Sequence, residues 1–238
     1  MLSEVRQMLR RRRDTPAKAA DGAAALPPIH CLVPGASPIE IGDYYKQFWH
    51  IYPDAELQTK QWLTRNARPD WVALDIGAHI GVYSILLSRL LTNGAVHAFE
   101  PTETVNMLRE NLAAHACANV VVHEVALGAR SGEIEDSIYR IWGAEPDRQS
   151  YHFSTVDDFV RAADLARLDF VKIDVDGFDL DVLEGAAGTF ARYDPWVVVE
   201  LNHALATRGR SARKRCSHRP PGTRRCSCSS HRRKPSGI

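Results

Sequence analysis

The sequence predicts an α/β fold built on a mostly parallel central sheet with helices on both faces. Three observations predict it. From Trp71 onward short apolar runs alternate with helical stretches; turn residues separate them; and one run delivers an acid directly into a glycine-rich turn that opens a helix. With 238 residues, 45% of them hydrophobic, the chain is long enough for one such domain plus extensions.

Residues 1–38 read as a basic N-terminal segment and linker. Leu2, Val5, Met8 and Leu9 lie at helical spacing beside a run of four arginines, and an Ala/Pro/Gly-rich stretch follows. Residues 39–70 read as a helical cap, because Tyr44, Tyr45, Phe48, Trp49, Tyr52 and Trp62 gather there and suit either core packing or the wall of a substrate pocket. The domain proper spans 71–205. Its expected elements are a strand at 72–76, a helix at 80–91 and a strand at 95–99. A helix carrying Val105, Leu108 and Leu112 comes next, then a strand at 120–125 and one or two short strands within 131–141. Helix 155–166, strand 170–175, helix 180–192 and strand 196–201 complete the set. Residues 206–238 hold no apolar periodicity and read as a basic, disordered tail, native or the product of a shifted frame.

Charge and cysteines exclude several function classes. The formal net charge of +1 hides a division: residues 19–207 hold 13 Lys/Arg against 27 Asp/Glu, while the basic residues gather at the two ends. A core of that sign repels phosphates, so no nucleic-acid partner is expected for it. No apolar run approaches the roughly 18 residues that a membrane span needs, and the N-terminus lacks the layout of a secretory signal. A cytoplasmic protein is expected. The five cysteines do not form a disulfide framework. Cys216, His218, Cys226, Cys228 and His231 lack the paired spacing of zinc knuckles, so the tail is read as solvated rather than metal-binding. The sequence is silent on oligomeric state.

The chemistry concentrates in Leu74-Asp75-Ile76-Gly77-Ala78-His79-Ile80-Gly81. Such a turn lets a ligand approach the backbone and exploits the helix N-terminus. A dinucleotide fingerprint would need glycines where His79 and Val82 stand, which disfavours NAD. Glu100, just after the next strand, is placed to accept ribose hydroxyls. At the end of the 170–175 strand, alternation sets Lys172, Asp174 and Asp176 on one side, as a catalytic group or as an ion pair bracing the strand. Asp179 and Asp181 read as charges in the first turn of a helix rather than magnesium ligands, and no metal is expected. Glu200 and His203 fall at the rim.

Over residues 56–203 the text resembles the FkbM family of Rossmann-like methyltransferases. The likeness rests on LDIGAHIGVYS at 74–84, AFEP at 98–101, ALG at 126–128, TVDDF at 155–159, VKIDVDGFDLDVLEGA at 171–186 and VVVEL at 197–201. It implies a Rossmann-like methyltransferase fold, apparently truncated at its C-terminal end, since the family's sheet continues past the strand at 196–201. It further implies S-adenosylmethionine held by Asp75, Gly77, Ala78, His79, Gly81, Glu100 and Pro101, with Glu124 and Val125 near the adenine. Asp174, Lys172 and Asp176 become the catalytic candidates, Asp174 first as base or orienting group. The family commonly has Asn where His79 stands and Glu where Asp176 stands. The reading is O-methylation of a hydroxyl on a glycan or small-molecule metabolite; the alternative is a non-catalytic or truncated remnant that binds the nucleoside cofactor without turnover.

Overall fold

A computed structural model describes residues 27–42, 52–138 and 148–200, together with a three-residue strand at Cys226–Cys228. Its elements in chain order are β1 (Ile29–Cys31), β2 (Ile39–Ile41), α1 (Leu57–Asn66), β3 (Val72–Ile76), α2 (Val82–Leu90), β4 (Ala95–Phe99), α3 (Val105–Ala114), β5 (Val120–His123) and β6 (Ala126–Leu127). There follow β7 (Gly132–Ser137), β8 (Arg148–Ser154), α4 (Val156–Ala162), β9 (Phe170–Ile173), α5 (Asp179–Glu184), α6 (Ala187–Tyr193), β10 (Trp196–Val199) and β11 (Cys226–Cys228).

The main sheet runs β11-β10-β9-β3-β4-β5 with every neighbouring pair parallel. Parallel pairing requires crossovers, and the helices that make them cover both faces. Alternation along each strand decides which face a side chain serves: Ala73, Val96, Ala98, Phe170 and Val198 join one buried cluster, Leu74, Phe99, Val171, Val197 and Val199 the other. The first cluster takes in α2 and α3, the second α4, α5 and α6. This is the Rossmann-like architecture the sequence predicts.

Four features differ from that expectation. Residues 29–41, read as linker, make an antiparallel hairpin whose Ile29, Cys31, Ile39 and Ile41 are fully buried in the first cluster. The helix expected at 180–192 is two, because the Gly185 carbonyl accepts the Asp157 amide (2.9 Å) and leaves the helical ladder. β8 appears where no strand was anticipated and joins β6 and β7 in a small second sheet. The edge of β10 is met by β11, a parallel partner from the basic tail; most of that tail, residues 1–26 and most of the aromatic stretch at 43–51 lie outside the described residues. Among the described residues no helix is long and apolar enough to cross a membrane.

The TVDDF block is architectural. Thr155 caps α4 by accepting the Asp158 amide (3.0 Å), and the Asp157 carboxylate accepts the Gly188 and Thr189 amides (3.0 and 2.7 Å) at the start of α6.

Candidate active site

The carboxyl ends of β3, β4 and β9 open on one cleft, at the point where strand order reverses about β3; this is where open α/β sheets bind ligands. The turn after β3 forms its floor. Gly77 and Ala78 amides both donate to the Phe99 carbonyl (3.0 and 2.9 Å), tying the turn to the end of β4. Gly77 has φ +82°, and a Cβ there would stand 1.8 Å from the Asp174 carbonyl oxygen. Close approach to the β9 end therefore demands glycine. Gly81 leads into α2, whose N-terminus has no side-chain cap and keeps amides available to a ligand.

Glu100 is anchored at its expected place, 6% exposed. Its Oε2 accepts the His79 amide (3.1 Å), and its Oε1 accepts both the amide and hydroxyl of Thr102 (3.0 and 2.5 Å). Burial raises its pKa against the pull of those bonds. Oε2 still has acceptor capacity on the cleft side, since each carboxylate oxygen takes about two donors. One side of the cleft is walled by Pro101, Val125, Leu127, Phe153 and Phe178. Glu124 is not in that wall; it pairs with Arg109 at 2.5 Å on the surface. Val125 alone of the expected adenine pair faces the cleft.

Beyond the turn a second, smaller pocket shares Tyr52, Gly77, His79 and Asp174 with the first. The Tyr52 hydroxyl and His79 Nδ1 are hydrogen-bonded at 2.6 Å, and the two rings stack. Asp75 is fully buried, with Oδ2 accepting the Ser84 hydroxyl (2.6 Å). Its Oδ1 has no hydrogen-bond partner among the described residues, and burial raises its pKa. Lys172, 3% exposed, donates to Asp174 Oδ2 at 2.7 Å and sits over the Tyr83 ring. Burial lowers its pKa, yet Asp174, with Glu56 and Asp75 behind it, more than offsets that and leaves the ammonium well above its usual value.

Asp176 adopts φ +48° and lines the larger cleft. Asp179 braces that loop by accepting the Val175 and Gly177 amides (3.0 and 3.2 Å); Asp179 and Asp181 occupy the first turn of α5, as anticipated. Oxygens of Glu56, Asp174 and Glu200 come within 4.8 Å of one another. Burial, reinforced by Asp174 and Glu56, pushes the Glu200 carboxyl up to about 8. Glu56, Lys60, Phe153 and Phe178 are site residues that sequence reasoning did not assign a role, whereas Tyr52 belongs to the aromatic group read as suiting either core packing or a pocket wall. A signal existed for Lys60, which stands midway between Leu57 and Leu63 on the inner face of α1.

A parallel α/β sheet, a glycine turn pressed against the neighbouring strand end and an acid after the second strand of the core are features of the Rossmann-like methyltransferase fold. The family model for the methyltransferase FkbM domain matches residues 75–218, and the chain belongs to that family.

Among curated proteins it is 30% identical over 147 residues to hexuronic acid methyltransferase AglP of Haloferax volcanii, a match covering 59% of this chain and 59% of that protein. It is 25% identical over 161 residues to Methyltransferase 1 of Beauveria bassiana, covering 56% and 65%. The chain thus spans less than two thirds of the length of either relative. Among solved structures, FkbM methyltransferase from Methylobacillus flagellatus aligns over 56% of this chain and 33% of its own, with 18% identity and a TM-score of 0.45.

Proposed function

We propose that the chain is an S-adenosylmethionine-dependent methyltransferase that methylates a hydroxyl on a glycan or small metabolite. The observation that carries this reading is the contiguity of two features. A nucleoside-sized cleft holds a buried acid, Glu100, and directly beside it stands a cluster of carboxylates at the ends of β9 and β10. The residues fit the donor: Glu100 for the ribose diol, the apolar wall with Val125 for the base, and the Gly77 turn for close passage of the chain between them. When bound, the donor supplies an electrophilic methyl group on its sulfonium. The name of the AglP relative supports a sugar as acceptor.

The protein's own share of the chemistry is positioning and proton removal. Asp174, clamped by Lys172, is suited to orient an acceptor hydroxyl rather than to take its proton. Glu200 is the better proton acceptor, because a carboxyl titrating near 8 is matched to a weakly acidic hydroxyl at neutral pH. Tyr52, stacked on His79, screens the junction of the two pockets from water. Cys31 and Cys117 are free thiols, which fits a reducing, cytoplasmic setting.

Calorimetric titration with S-adenosylmethionine and S-adenosylhomocysteine tests the reading. Micromolar binding that Glu100→Ala abolishes is expected, followed by transfer of labelled methyl to a panel of saccharides. A folded chain that binds neither nucleoside would overturn the proposal, and binding without transfer to any acceptor would favour the non-catalytic reading.

A further inference from the structure

Asn111 lines neither pocket, yet it joins three parts of the molecule. It stands on the inner face of α3 among Val105, Leu108 and Leu112, 4% exposed, where an apolar side chain would be the ordinary choice. Its Nδ2 donates to the Ile80 carbonyl (2.8 Å), inside the glycine turn, and its Oδ1 accepts the amide of Gly42, the residue after β2 (3.0 Å). One partner is a donor and the other an acceptor, so the two together fix which way the side-chain amide faces. A planar trans peptide sets its carbonyl and N–H opposite each other. An Ile80 carbonyl drawn toward α3 therefore turns the Gly81 amide away from it and onto the Ala78 carbonyl (2.9 Å), which closes the turn around His79 at φ +51°. The β1-β2 hairpin is also fastened by Arg89, which donates to the Ser37 and Pro38 carbonyls (3.2 and 3.1 Å), and by the His115 ring, which donates to the Glu40 carbonyl. Those two lie at the C-terminal ends of α2 and α3, away from the turn at the start of α2.

We infer that Asn111 is a positioning residue for donor binding, which holds the turn in shape and ties that shape to the docking of the hairpin at 29–41. The inference rests on the donor assignment above and extends it to a hairpin outside the family-matched segment, residues 75–218. Without the Gly42 bond the side-chain amide is free to turn over; without the Ile80 bond the peptide after the left-handed His79 loses its anchor. Either loss leaves the floor of the cleft unsupported from the α3 side, while the bonds to Phe99 and Glu100 hold it from β4 alone. Coupling of this kind is reciprocal, so a donor that steadies the turn also steadies Gly42.

The test has one arm in the parent chain and one in variants. In the parent, saturating S-adenosylhomocysteine should slow hydrogen exchange of the Gly42 amide about threefold or more. Asn111→Asp keeps an acceptor for Gly42 but sets a carboxylate against the Ile80 carbonyl, so at about pH 8 it should bind S-adenosylhomocysteine about 10-fold more weakly than the parent. Toward about pH 5.5 the protonated carboxyl donates to Ile80, and the ratio of variant to parent affinity should recover to within about threefold. Taking the ratio cancels the titration of groups common to both chains, His79 and His115 included. Arg89→Ala loosens the hairpin at its other fastening and should leave affinity within about twofold. Unchanged exchange at Gly42 overturns the inference without any variant having to fold. So does an Asn111→Asp chain that melts lower yet binds as the parent does, or one whose loss is the same at both pH values, since the Ile80 bond would then not be what the donor feels. An equal loss in Arg89→Ala also overturns it, by assigning the effect to the hairpin's general stability. A parent chain that binds no nucleoside fails the donor assignment itself, and the inference falls with it.

Discussion

The two sides of the site satisfy their polar groups in different ways. On the Glu100 side, the carboxylate is held by three donors from its own surroundings, and the turn at 77–78 is bonded to β4, so the fold completes itself without a ligand. Around α1 and the ends of β3, β9 and β10, Lys60 Nζ and Asp75 Oδ1 have no hydrogen-bond partner among the described residues, and Glu56, Asp174 and Glu200 crowd together. The contrast teaches which parts of this molecule are scaffold and which are unfinished without a ligand. Hydrogen-bonded groups hold shape, whereas orphaned charges store free energy that a bound molecule can release.

The sharpest way to break the scaffold side is Gly77→Ala. The new methyl meets the Asp174 carbonyl, and the residue must hold a positive φ as well, so a loss of about 3 kcal/mol or more is expected in urea denaturation. Gly35→Ala is the control: φ is nearly the same at +81°, but no atom lies within 4 Å of the added carbon. It should cost about 1 kcal/mol, the backbone penalty alone. Equal losses would mean that the close approach at Gly77 contributes nothing.

On the unfinished side, Glu200→Gln should slow methyl transfer about 100-fold or more and flatten its pH profile, which in the parent chain rises toward a plateau above about pH 8. Stability should move the other way. The folded carboxyl keeps its proton up to about 8, while the unfolded chain gives it up near 4.5, so stability falls as pH climbs between those values. The glutamine variant escapes that loss and should melt higher than the parent at pH 8. A variant that melts lower there would remove Glu200 from the strained cluster.

How much was legible follows the same division. The β3 turn and Glu100 could be read because a run of apolar residues, an acid and spaced glycines occupy consecutive positions, and the strand at Ala95–Phe99 was found to the residue. The hairpin at 29–41 escaped because each strand has three residues, too few for alternation to register, and the flanking prolines suggested a linker. The break at Gly185 depends on an amide 28 residues away in sequence, at Asp157, which no local pattern shows. Lys60 and Glu56 escaped as site residues because their role depends on where α1 and its lead-in pack. That Glu124 stands outside the cleft wall has a comparable reason: Arg109 on α3 draws its carboxylate to the surface.

A smaller effect sharpens the comparison from within the scaffold. His97 Nδ1 and His123 Nε2 lie 3.0 Å apart, and His123 is stacked on Phe99, with Phe159 edge-on to it. Burial lowers both pKa values, and with His97 beside it His123 falls to about 3. The unfolded chain takes up a proton near 6.5 that the folded chain refuses until far lower pH, so stability is lost as pH falls from about 6.5 toward 3. Each excluded proton steepens that slope by roughly 1.4 kcal/mol per pH unit. His123→Phe removes one such proton and keeps a ring against Phe99, so its melting temperature should fall less between pH 7 and pH 5 than the parent's. The donor affinity of a folded sample at pH 7 should not change, since the pair is not part of either pocket wall. A variant with the parent's acid sensitivity would show that other groups set it, and a lost donor site would show that the scaffold under β4 is less self-sufficient than its hydrogen bonds indicate.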